Sequence, residues 1–225
     1  GMHADANTTA TNNGNITIAV TGDAGETLSA GMQAVRGGSI VNGSGKNITV
    51  SAEGSAYGMM AISGSNGGKN FTDVESAVDN RGSITVTAGD TAYGIYSTVK
   101  GDVKNSGTVV INGNGSAVYA GGGSLTNSGS ITLNGDGYGL IAEDGDLTNS
   151  GTVTLNGYGY AVLNDGGNLT NGGEIYLNGS GWGVYAKNGN LINNAGGNVT
   201  VNADDLAAIS GLTLEAVSYT HLTLP

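Results

Sequence analysis

One sentence is written four times between residues 105 and 192. Asn105-Ser-Gly-Thr-Val-Val-Ile-Asn-Gly returns as Asn127-Ser-Gly-Ser-Ile-Thr-Leu-Asn-Gly, as Asn149-Ser-Gly-Thr-Val-Thr-Leu-Asn-Gly and as Asn171-Gly-Gly-Glu-Ile-Tyr-Leu-Asn-Gly. The copies start 22 residues apart, and Asn193 continues the count. A fixed period of this length predicts a stacked solenoid, in which each repeat buries its apolar side mainly against its two neighbours.

The alternation inside each copy decides between strand and helix. Ile131-Thr-Leu133 places two aliphatics on one side and a polar residue on the other, the period-2 pattern of a strand. One coil is expected to hold three short strands, 131–133, 138–142 and 146–148. The corner Asn134-Gly-Asp-Gly137 separates the first two strands, because Asn and Gly tolerate left-handed backbone angles. Glu143-Asp-Gly145 makes the next turn and Asn149-Ser-Gly151 closes the coil. The 43 glycines and single proline suit such a corner-rich chain better than a disordered one, since the aliphatic pairs recur regularly.

Aligning the copies gives four expected interior columns. The first runs through Ile84, Val109, Ile131, Val153, Ile175 and Val199, and the second through Val86, Ile111, Leu133, Leu155, Leu177 and Val201. The third holds Ile95, Val118, Leu140, Val162, Val184 and Ala208, and the fourth Val103, Leu125, Leu147, Leu169 and Leu191. Two asparagine columns, 80-105-127-149-171-193 and 112-134-156-178, are positioned to hydrogen-bond along the stack. About eight coils are expected, irregular at the amino end, making a rod ~38 Å long at ~4.8 Å per coil. The helix itself is expected over 12–211. Gly1-Met2 reads as a tag scar and the rest of 1–11 as a loose lead-in. Residues 212–225 read as an irregular tail, and 218–225 as non-native.

Charge and inventory exclude several functions. Seven Lys and Arg face 18 Asp and Glu, a net charge of -11, so the basic footprint of a nucleic-acid binder or of an anionic-membrane binder is missing. No apolar run reaches the ~18 residues of a membrane helix. Cysteine is absent, and the two histidines, His3 and His221, sit in terminal segments, so neither a zinc site nor a catalytic triad can be assembled. Nothing in the chain calls for a cofactor.

The repeat Asn-x-Gly-[Thr/Ser]-[Ile/Val]-x-[Val/Leu], followed by Gly-x-Gly and [Tyr/Ala]-Gly-[Ile/Val]-Tyr-Ala, resembles the repeats of bacterial autotransporter passenger domains and related surface adhesins. The resemblance covers about 12–210 and is closest over 80–192. It implies a right-handed, single-stranded parallel β-helix exported by a Gram-negative cell. It further implies a fragment of a longer chain, anchored in the outer membrane through a carboxy-terminal barrel that these residues do not include. Passengers include adhesins, proteases and toxins, so the resemblance points to a cell-surface adhesin or stalk without naming a ligand.

Two groups of residues are candidates for a site. Tyr96, Tyr119 and Tyr185 fall in one outward column, with Met60, Ile141 and Leu163; Tyr57, Tyr93, Tyr138, Tyr160 and Trp182 fall in another. Such a stripe suits a host glycan or a host surface protein, since aromatic rings offer large contact area with a polar tip. The same rings also serve a structural end if they stack on one another and shield strand edges. The excursion at 63–79 is a second place for a ligand. The acidic corner Glu143, Asp144, Asp146 and Asp165 is the candidate for Ca2+, and with Asp136 for the carboxylates of a polysaccharide lyase or hydrolase, the alternative reading of the chain.

Overall fold

A computed structural model of the chain describes residues 1–21, 29–63, 65–66, 69–70 and 75–202. Ala208, His221 and the expected tail at 212–225 lie outside the described residues, as does most of 64–74. The strands form three parallel sheets of eight strands each, plus one short antiparallel hairpin, and no helix occurs among the described residues. The protein is a parallel β-solenoid of about seven turns.

One coil passes through Gly137–Glu143 in sheet 1, Leu147–Asn149 in sheet 2 and Thr152–Asn156 in sheet 3. Each strand pairs with its copy 22 residues on, as in Tyr138 with Tyr160, Asn149 with Asn171 and Leu133 with Leu155. Glycine marks the corners for two separate reasons. Gly137 takes a φ of +136°, and a Cβ there would lie 1.9 Å from the Gly115 carbonyl oxygen. Gly129 has no such φ, but a Cβ on it would lie 1.9 Å from the Gly107 carbonyl oxygen of the preceding coil. The third residue of each Asn-x-Gly motif is therefore set by how closely consecutive coils approach.

The four aliphatic columns face inward and form one continuous core. Ile84, Val109, Ile131, Val153 and Ile175 are fully buried, as are Val86, Ile111, Leu133, Leu155 and Leu177. In the last described coil Val184, Leu191, Val199 and Val201 are half-buried. Outward positions of sheet 3 carry Thr17, Thr49, Thr85, Thr132, Thr154 and Thr200, the β-branched polar residues that suit a solvated strand face.

The two asparagine columns form two amide ladders of opposite polarity. In the first, each Nδ2 donates to the Oδ1 one coil towards the carboxy end, from Asn12 through Asn42, Asn80, Asn105, Asn127, Asn149 and Asn171 to Asn193, at 2.7–2.9 Å. The second N–H of Asn149 donates to the carbonyl of Gly151 at 3.3 Å, so one side chain both climbs the ladder and closes its own turn. In the second ladder the amides of Asn134, Asn156, Asn178 and Asn202 each donate towards the amino end, at 2.8–2.9 Å. The first ladder is buried from Asn12 to Asn171, whereas Asn134, Asn156, Asn178 and Asn202 are exposed.

Two features differ from the reading of the sequence. The stretch expected as a loose lead-in carries strands Met2–Asp5 and Thr9–Asn12, paired in register with Ser29–Val35 and Ser39–Asn42. Met2 packs against the core in register with Met32, and Ala10 stands in register with Ile40, a small residue that hides the aliphatic pattern. In the excursion after Ile62, Ser65–Asn66 pairs with Lys69–Asn70 as an antiparallel hairpin before Val78–Asn80 rejoins sheet 2.

Asn164 breaks the pattern from inside. It lies in register between Ala142 and Ala186, is fully buried, and neither its Nδ2 nor its Oδ1 has a partner. A buried amide without partners costs stability, whereas one built into a ladder contributes it. Three alanine substitutions therefore separate. Asn149→Ala is expected to lower unfolding free energy by roughly 2–3 kcal/mol, Asn134→Ala to change it by about 0.5 kcal/mol or less, and Asn164→Ala to raise it by about 1 kcal/mol. Urea unfolding followed by circular dichroism checks the order, and equal losses for all three would contradict it.

Candidate functional site

The aromatic residues gather on the outer face of sheet 1. Strict alternation would not place them together, because Tyr93 and Tyr96 are three residues apart. The strand Ala92–Ser97 turns both Gly94 and Ile95 inward instead. Gly94 is needed there, since a Cβ would lie 2.4 Å from Val109 Cγ1. That bend brings the rings of Tyr93 and Tyr96 to 4.7 Å.

Two columns result, each in register from coil to coil. One reads Tyr57, Tyr93, Ser116, Tyr138, Tyr160, Trp182; the other reads Met60, Tyr96, Tyr119, Ile141, Leu163, Tyr185. The rings form two clusters. Tyr57 stacks on Tyr93 at 4.9 Å and Tyr96 on Tyr119 at 5.0 Å, with Tyr57 and Tyr96 edge to face at 5.5 Å. Tyr138 stacks on Tyr160 at 5.6 Å and Tyr160 on Trp182 at 4.7 Å, and Tyr185 meets both Tyr160 and Trp182 edge to face. All eight rings are half-buried, while Met60 and Ile141 of the second column are buried. The most exposed large apolar side chain among the described residues is a different one. Tyr158, 59% exposed, stands on a Gly-x-Gly corner where its N–H donates to Asp136 Oδ1 at 2.8 Å. Its position outside every column hid it in the sequence.

The acidic corner is not assembled as a metal cage. Glu143, Asp165 and Lys187 share one column, but each carboxylate has its own partner. Glu143 Oε2 accepts from the Tyr119 hydroxyl at 2.7 Å. Asp165 accepts from Lys187 Nζ at 2.7 Å and from Asn188 Nδ2 at 2.9 Å, and the Lys187 ammonium holds its pKa below the usual carboxylate value. Asp146 Oδ1 accepts from the Asn168 N–H at 2.8 Å, and Asp144 sits at a turn with a φ of 57°. Among the described residues, no three His, Cys, Asp or Glu side chains converge as metal ligands. A cleft of about 740 Å³ lies on sheet 2 where the chain rejoins the rod, lined by Glu75, Asp79, Lys100, Asp102 and Lys104 among others. Its charges are of both signs, with Lys104 3.1 Å from Asp102.

No family model, no curated protein and no solved structure matches this chain.

Burial pushes the Tyr119 phenol well above its ordinary value of 10.0, and the hydrogen bond to Glu143 raises it further. Burial raises Tyr57 and Tyr96 in the same direction. A folded state that keeps a proton the unfolded chain has released is favoured below the unfolded pKa and loses that advantage as pH rises above it. Stability is thus expected to be unaffected by these groups below about pH 10 and to fall above it. Tyr119→Phe should make the alkaline fall shallower; identical slopes for the two proteins in urea titrations at stepped pH would show that Tyr119 is not responsible.

Proposed function

We propose that this chain is part of an autotransporter-type passenger, displayed at the surface of a Gram-negative cell as an adhesive stalk, and that sheet 1 is its contact face. The observation that carries this reading is the pair of four-ring clusters on one face of the solenoid. Aromatic side chains are enriched at contact surfaces because they bury large area at little conformational cost. The repeat motif, with its resemblance to passenger repeats, supports export and outer-membrane anchoring through a barrel elsewhere in the parent chain. The partner is a host glycan or host surface protein, and nucleic acid is disfavoured by the net charge of -11. We read the chain as non-catalytic, because Glu143, Asp165 and Asp146 are each spent on a protein partner.

Serine already stands at one position of the ring column, so serine substitutions there should leave the fold intact. Cells displaying the rod are expected to adhere to immobilised host glycans or matrix proteins. The Tyr160→Ser, Trp182→Ser double variant should lose most of that adherence while keeping the wild-type circular dichroism spectrum at a lower melting temperature. Adherence retained by the double variant would remove the face from the proposal, and a wild-type rod that adheres to nothing would leave only a spacer.

A further inference from the structure

Tyr119 is held from two neighbouring coils. Its ring stacks on Tyr96 of the preceding coil, at 5.0 Å with the planes 22° apart. Its hydroxyl donates to Glu143 Oε2 of the following coil at 2.7 Å. Gly121 makes room for that reach, since a Cβ there would lie 3.0 Å from Tyr119 Cε1 and 3.1 Å from its hydroxyl oxygen. One phenol thus has a second phenol on its face and a carboxylate on its hydroxyl.

This pairing bears on oxidation. A neutral phenol resists losing an electron because the cation left behind is a strong acid whose proton needs an acceptor. A base already hydrogen-bonded to the hydroxyl takes that proton in the same step, and 2.7 Å lies within the reach of general-base transfer. Burial and the same hydrogen bond raise the Tyr119 pKa, so the residue stays a neutral phenol, the form that gains from a base. The product is a neutral, half-buried phenoxyl lying against another phenol.

We propose that Tyr119 and Tyr96 form an oxidative cross-linking site, with Glu143 as proton acceptor, at which a one-electron oxidant joins two successive coils through a dityrosine bond. Peroxidase intermediates and oxidised metal complexes are oxidants of this class. Tyr119 passes one electron to the oxidant and its hydroxyl proton to Glu143. Tyr96 passes one electron to a second equivalent of oxidant and its proton to water. The two phenoxyls couple through one ortho carbon each. The hydrogen on each of those carbons then moves to its ring oxygen, which leaves two phenols joined by a carbon–carbon bond. Glu143 returns its proton to water, so the sum is two electrons to the oxidant and two protons to solvent.

Other tyrosines supply the contrasts. Tyr176 also donates to a carboxylate, Glu174 at 3.1 Å, but among the described residues no ring stacks on it. Tyr57 stacks on Tyr93 at 4.9 Å, but what raises the Tyr57 pKa is burial and the neighbouring phenols, with no carboxylate among the causes. Tyr138 stacks on Tyr160 at 5.6 Å, and Trp182 lies 4.7 Å from Tyr160. An indole gives up an electron more readily than a neutral phenol, so oxidation of that cluster comes to rest on Trp182. A carboxylate on the hydroxyl and a phenol on the face coincide at Tyr119. The site does not depend on sheet 1 being a contact face.

The test exposes the full chain to photo-generated tris(bipyridine)ruthenium(III) and follows dityrosine fluorescence in the monomer, with peptide mapping by mass spectrometry. The wild type is expected to yield a monomer in which Tyr96 and Tyr119 share one cross-linked peptide. The bond also restrains the unfolded chain, so the product should melt several degrees above the untreated protein. Tyr96→Phe and Tyr119→Phe should each remove most of the monomer dityrosine, and Tyr176→Phe should leave it unchanged. Glu143→Gln keeps an oxygen that accepts the hydrogen bond but is not a base. It should slow the initial formation of dityrosine roughly ten-fold or more with an unchanged circular dichroism spectrum. Dityrosine formed chiefly between molecules, or at Tyr57 with Tyr93 or Tyr138 with Tyr160, would overturn the site, as would an initial rate untouched by Glu143→Gln. Peptide mapping of the wild type decides the linkage even where a variant folds poorly.

Discussion

Hydrogen bonding between equivalent residues of successive coils, in parallel and without slippage, is the constraint from which the rest follows. Residue i lies over residue i+22 through the regular coils, so any side chain is stacked on whatever the repeat places there. A slip by one residue would exchange the inward and outward sets and bury threonine in place of leucine. The aliphatic columns hold the register from inside, and the amide ladder from Asn12 to Asn193 holds it at the corner. An amide that must meet an amide one coil away tolerates no offset, which makes the ladder a register lock as well as a source of stability.

The parts of this structure that are legible in sequence are those that repeat. The four aliphatic columns, both ladders and the three-strand coil can be read from the 22-residue period because each position is written several times over. The amino-terminal coil is harder to see because Ala10 occupies its interior where the later coils have Ile40, Val78 and Val103. The bend that turns Gly94 and Ile95 inward together is also invisible to an alternation rule, since it depends on how near the facing wall at Val109 stands. Partner choice at the acidic corner is a third such case. Residues 143 to 146 read as clustered carboxylates, yet the register sets Glu143 within reach of the Tyr119 hydroxyl and Asp165 within reach of Lys187. Which carboxylate finds which donor is a matter of one coil's height, and no local motif carries it.

Stacking also shows how a structural aromatic face is compatible with the proposed role in adhesion. Rings one rung apart meet at the spacing of the backbone ladder, so they cover one another's faces and sink to half-burial without any dedicated packing. What remains outward is a row of ring edges and phenol hydroxyls on a continuous eight-stranded sheet. Little conformational entropy is left to lose when such a row meets a partner, in contrast to a loop that must be ordered on contact. The two roles weighed for these rings are therefore aspects of one arrangement.

A surface made only of repeats would present the same chemistry at every height and could not tell one partner position from another. Discrimination has to come from the rungs that depart from the pattern. On sheet 1 those are Ser116 in the first ring column and Ile141 and Leu163 in the second, each framed by tyrosines in the coils around it. On the corner it is Tyr158, alone among polar equivalents. Because the framing rungs are held at a fixed height by the parallel hydrogen bonding of the sheet, each such departure has a defined place along the solenoid.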